Sequence, residues 1–130
     1  MAATINANLS GTSSNSYVTL AEANSYFETT PESSTWDNKT DDQKNRSLIS
    51  ATRWIEGLNF FGERCDDGQA LQWPRNNYSV DSVDFACSVI PEKIKQAQYE
   101  LARALANDPD AITGNKGTAG VAKEVELGEL

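Results

Sequence analysis

A mostly α fold is what this sequence predicts: a small bundle of about three main helices, a short extended or β-hairpin segment near 78–90, and extended N- and C-terminal arms. Three observations carry the prediction. Two stretches open with a capping box, a Thr followed three residues later by Glu or Gln. Three stretches repeat apolar residues at helical spacing. Both ends are too polar or too Gly-rich to bury much surface. At 130 residues the chain is about one domain long, and three Trp, four Tyr and four Phe can furnish one modest core. The expected organisation is an N-terminal arm over 1–15, a helical domain over 16–107 and a C-terminal arm over 108–130.

The first 16 residues are small and polar, so they read as an arm or flexible lead-in that a partner would order. Thr19 and Glu22 then form the first capping box, and Leu20, Ala23 and Phe27 share a helical face. Thr29-Thr30-Pro31 ends that helix, because Pro31 disfavours helical backbone at Thr30. Thr40 and Gln43 cap a second helix over about 41–58, with Asp41 and Asp42 in the first turn, where the dipole favours acids. Its stripe is Leu48, Ala51, Thr52, Ile55 and Leu58, and Gly57 weakens its end. Trp36, just upstream, is expected to fold over its start.

Residues 59–90 are irregular. Asp66-Asp67-Gly68 and Asn76-Asn77 are turn signals, and Pro74 bars helix through Trp73-Pro74-Arg75. Val83, Phe85, Cys87 and Val89 alternate with polar or small residues, which suggests a short half-buried strand or an extended segment clamped on the helices. The third helix is expected to hold Pro91 in its first turn, with Ile90 as N-cap and a Val89–Ile94 staple. Ile94, Ala97, Leu101 and Leu105 form its stripe, and Asn107-Asp108-Pro109 stops it.

Chemistry is sparse. With no His, the commonest general base and metal ligand is missing, and neither Cys lies in a C-x-x-C pair. There is no P-loop and no nucleophile elbow, so no enzyme, metal or cofactor is expected. The acidic pairs Asp41-Asp42 and Asp66-Asp67 read as helix-start and turn residues. A start that lacks a basic and an apolar region suggests no secretory leader, and no stretch suits a membrane span. Cys65 and Cys87 are therefore expected as reduced thiols, with a bridge between them as the alternative. The net charge of −8 speaks against a general nucleic-acid binder.

Trp73-Pro74-Arg75 is the most unusual cluster, expected as a structural loop anchor in which Trp73 plugs a gap between helices. The alternative is a base-stacking Trp beside a phosphate-binding Arg. Several stretches together carry a resemblance: Ser16-Tyr17-Val18-Thr19-Leu20-Ala21-Glu22-Ala23, Ala51-Thr52-Arg53-Trp54-Ile55, Ala70-Leu71-Gln72-Trp73-Pro74-Arg75, Ile90-Pro91-Glu92-Lys93-Ile94-Lys95-Gln96-Ala97 and Glu100-Leu101-Ala102. In order and spacing over about residues 16–106, the chain resembles a family of small tailed-bacteriophage proteins, often labelled DnaT-like single-stranded-DNA-binding proteins.

That resemblance implies a structural virion protein, a head-to-tail adaptor (connector or head-completion protein) built as a homo-oligomeric ring, usually of 12 copies. It would be assembled in the host cytoplasm, sit at the head–tail junction, and join the portal protein to a tail protein. Packaged DNA would pass through without specific binding, and no membrane would be involved. The expected portal-binding element is the C-terminal arm. Val121, Val125 and Leu127 share one face at strand spacing with Lys123 between them, and Leu130 ends the chain beside a free carboxylate. The second reading of that arm is a disordered acidic tail. The rival function is a single-stranded-DNA-binding module that uses Trp73, Arg75, Tyr78, Arg53 and Arg64.

Overall fold

A computed structural model describes residues 3–31, 33–77, 79–80, 82–84 and 86–111. The expected arm residues Val121, Lys123, Val125, Leu127 and Leu130 lie outside the described residues, as does Tyr78. In chain order the elements are α1 (Leu20–Phe27), α2 (Ser34–Asp37), α3 (Asp41–Glu56), β1 (Glu63–Arg64), β2 (Arg75–Asn76), β3 (Ser79–Val80), β4 (Val83–Asp84) and α4 (Glu92–Asn107). The fold is mostly helical, as its periodicity predicts. No helix among the described residues is long and apolar enough to cross a membrane.

Both capping boxes form. Thr19 accepts from the Glu22 N–H and Thr40 from the Gln43 N–H, while each Glu or Gln side chain reaches back to its cap. The predicted stripes meet in one core: Ala23 and Phe27 of α1, Leu48, Ala51 and Ile55 of α3, and Ile94, Leu101 and Leu105 of α4. Helices α3 and α4 form the main contact of the bundle. Trp36 is fully buried on the short α2, which the sequence reading did not anticipate. It packs on Phe27 at 4.8 Å, donates from Nε1 to Asn24 Oδ1 at 2.9 Å, and lies 5.8 Å under the Lys44 ammonium.

Four details differ from expectation. Residues 3–15 run without helix or strand, turning near Ser10, and are fastened to the body rather than free. The Ala3 N–H donates to Asp42, Asn45 donates to the Ala3 carbonyl, the Ala70 N–H donates to Gly11, and Ile5 packs on the core. Two of these anchors come from the polar side chains of Asp42 and Asn45 and one from backbone, so a low apolar content did not mean freedom. The expected β-hairpin near 78–90 forms, but over 79–84, so the alternating run at 83–89 is not one strand. A two-residue loop pairs Ser79 with Asp84 and Val80 with Val83, with Ser82 at φ 66° in the turn. Pro91 is the N-cap of α4, not its first residue, and Val89 is 54% exposed, so the staple is not made; Ile90 packs on the core instead.

The fourth difference concerns the cysteines. Cys65 and Cys87 are joined in a disulfide, with Cα atoms 5.8 Å apart, not held as separate thiols. The cause is local. Pairing of β1 with β2 sets the Cys65 N–H on the Pro74 carbonyl, and Asn76 of β2 reaches the Cys87 sulfur at 3.6 Å.

Candidate nucleic-acid interface

The segment after α3 is held from within by polar groups. Gly57 closes α3, and the chain passes Phe60 and Phe61 to Gly62, whose φ of 80° turns it into β1. Beneath this turn lies Arg75, only 8% exposed. Its Nε donates to the Phe61 carbonyl at 2.9 Å, and Nη2 donates to Gly62 at 2.7 Å and Phe60 at 3.3 Å. Nη1 donates to the Gln72 side chain at 2.8 Å and its carbonyl at 3.3 Å. A guanidinium offers five donors in a fixed fork, and here the fork is filled by carbonyls. Burial, and then the nearby Arg64 charge, lower its pKa from the ordinary value.

Trp73 lies on the inner side of the same loop, 2% exposed, edge-on to Phe60 at 5.4 Å, and its peptide bond to Pro74 is cis. The Trp73 N–H donates to the Tyr17 hydroxyl, which donates in turn to the Glu56 carboxylate. Burial, then the Glu56 charge, push the Tyr17 phenol well above its ordinary range. Both Glu56 oxygens also accept the Gln72 N–H, at 2.9 and 3.0 Å. Trp73, Pro74 and Arg75 thus lie inside the loop, and neither Trp73 nor Arg75 is presented to a ligand.

Of the five residues proposed for DNA contact, Arg53 and Arg64 are exposed at the surface. Arg64 also touches the Gln69 carbonyl at 3.4 Å. Arg53 borders a groove of about 400 Å³ between α3 and the N-terminal segment. Ile49, Thr52 and Leu71 form part of its lining, and Thr4, Ser14 and Asn15 its polar far side. The groove and the loop are linked by hydrogen bonds running from Glu56 through Gln72 and Arg75 to Phe61.

The residue that sequence reasoning missed is Phe61. Phe61 is 67% exposed, while its own carbonyl is fixed by Arg75. The available signal was Phe60-Phe61 in an irregular stretch directly after a helix, where two adjacent rings cannot both turn inward. The described residues contain no group of three His, Cys, Asp or Glu placed to hold a metal ion.

A family model described as "Putative DnaT-like ssDNA binding protein" matches residues 1–129. The chain belongs to that family. No curated protein and no solved structure matches it. Membership extends the resemblance seen over 16–106 to nearly the whole chain and corrects the connector assignment. The family is described by binding of single-stranded DNA, so a virion head-to-tail connector, portal-binding and dodecameric, has no support in it.

Proposed function

We propose that this chain binds single-stranded DNA with little sequence preference, using the face formed by the loop after α3 and the groove beside it. One observation carries the reading: Phe61 is an aromatic ring exposed on a loop whose backbone is anchored from beneath. A ring held in this way can stack on a base without ordering the loop first. Such stacking contributes about 1–3 kcal/mol per base and tolerates every base, since each has a π-face. Arg53 at the groove and Arg64 on β1 are exposed cations for backbone phosphates. Ile49 and Leu71 in the groove can cover the apolar face of a neighbouring base. Family membership supports the same reading.

The charge balance sets its strength. A net charge of −8 leaves few phosphate contacts, so the interaction is modest and salt-sensitive. Fluorescence anisotropy with a labelled oligo-dT strand tests it at low salt and at about 0.15 M. The expected result is saturable binding at low salt that weakens as salt rises, and Phe61→Ala should weaken it about tenfold through lost stacking. Equal binding by wild type and Phe61→Ala, or no binding at low salt, would contradict the proposal.

A further inference from the structure

We propose that the Cys65–Cys87 disulfide is a redox clip, opened by a dithiol reductant, that holds the β3–β4 hairpin against the loop carrying Phe61 and Arg64. Three observations support it. Cys87 is exposed and Cys65 half-buried, so a small dithiol can reach the bridge. Next, Ser79, Ser82, Asp84, Ala86, Cys87, Ser88 and Val89 are all exposed, so solvent reaches this segment at these positions. Finally, among the described residues Asn76 Nδ2 of β2 meets the Cys87 sulfur at 3.6 Å, a polar and exposed contact. The loop on the other side of the bridge has its own support in Arg75, Tyr17 and Glu56. Opening the bridge therefore frees one side and leaves the other in place.

The chemistry balances as thiol–disulfide exchange. One thiolate of the dithiol attacks a bridge sulfur, breaks the S–S bond and forms a mixed disulfide. The second thiol of the reductant then displaces that sulfur. Cys65 and Cys87 take up two electrons and two protons, and the dithiol leaves as its own disulfide. A reducing compartment favours the open form and an oxidising one the closed form.

The consequence for DNA rests on the proposed function. Residues 76–90 contain Asp81 and Asp84 and no Lys or Arg. The bridge ties this cation-free acidic segment to Cys65, the residue after Arg64, and opening it lets the segment move away. The open form should then bind a single strand about threefold more tightly at low salt, a difference that fades as salt screens it.

Hydrogen exchange on the full chain tests the clip, with the oxidised protein, the dithiothreitol-reduced protein and Cys87→Ser. Amides in 79–89 should exchange about tenfold faster in the reduced and Cys87→Ser forms, while α3 and α4 keep their protection. Equal exchange of 79–89 in all three forms overturns the proposal. Parallel titration with oligo-dT separates the two claims. Faster exchange with no binding in any form supports the clip and removes the single-stranded-DNA reading. Faster exchange with identical affinity in both redox forms overturns the gating.

Discussion

The helical bundle and the loop region after it are held together by different physics. In the bundle, apolar stripes on α1, α3 and α4 close on one another, with Phe27, Trp36, Leu48 and Leu101 fully buried. In residues 57–77, the central group is a guanidinium, and carbonyls bind where side chains would pack. A stripe can lose one methyl and still exclude water, since its energy is spread over area. A hub of directed hydrogen bonds has no such reserve, because each lost donor leaves a carbonyl unpaired. The bundle is therefore suited to stability and the loop to holding one exposed ring in one place.

The largest expected effect lies in the bundle. Trp36→Ala removes the ring under Lys44 and beside Phe27, and should cost about 3–5 kcal/mol in a denaturant titration. A loss below about 1 kcal/mol would mean that α2 is not part of the cooperative core.

Arg75→Lys should show the contrast. A lysine keeps the charge but cannot bridge Phe60, Phe61, Gly62 and Gln72 together. Global stability should fall by about 2 kcal/mol, and amides of 59–64 should lose protection before those of α3. Uniform loss across the chain would erase the distinction between the two regions.

These two substitutions also mark what the sequence could reveal. The caps at Thr19 and Thr40 and the stripes of the main helices were legible, because spacing alone sets them. In the loop, an inward Trp73 was expected and is buried, but the partners of Arg75 were not legible. Nothing in Trp73-Pro74-Arg75 shows that Arg75 would satisfy four residues of its own chain rather than a phosphate. The alternation at Val83, Phe85, Cys87 and Val89 suggested one strand, but β4 ends at Asp84 and the chain turns at Cys87 and Ser88. The exposure of Phe61 depended on Phe60 taking the inward position against Trp73, a tertiary choice that local pattern does not encode.

A smaller effect should appear where the regions join. Gln98 of α4 is fully buried; it donates to Ser16 Oγ at 2.7 Å and the Leu48 carbonyl at 3.1 Å, and accepts the Tyr17 N–H at 3.1 Å. Gln98→Leu should cost about 1–3 kcal/mol by leaving the Tyr17 N–H and its neighbours without partners. Because Tyr17 carries the Trp73 N–H, it should also loosen the loop, visible as greater exposure of the Trp73 indole.

The smallest effect concerns pH. Burial alone would raise the Glu22 carboxyl, but the Thr19 N–H and the Lys95 ammonium outweigh it and hold its pKa below the usual 4.5. A carboxyl whose folded pKa is depressed stabilises the fold above its unfolded pKa and loses that contribution as pH falls through the folded value. Lys95 meets Glu22 at 3.3 Å in a partly solvated pair. Glu22→Gln should thus cost only about 0.5 kcal/mol at neutral pH, and the difference from wild type should vanish below the folded pKa. A difference that grew as the pH was lowered would refute the assignment.

The proposed DNA face is the loop after α3 with the groove beside it, and not the surfaces of α1 and α4. Amide chemical shifts during titration with a short oligo-dT strand at low salt test it most directly. Perturbations should cluster at Arg53, at 59–64 and along the groove at Thr4 and Asn15, with the α1 and α4 surfaces around Glu22, Lys95 and Arg103 unmoved. Perturbations centred on α1 and α4 with none at Phe61, or none anywhere at a saturating strand concentration, would contradict it.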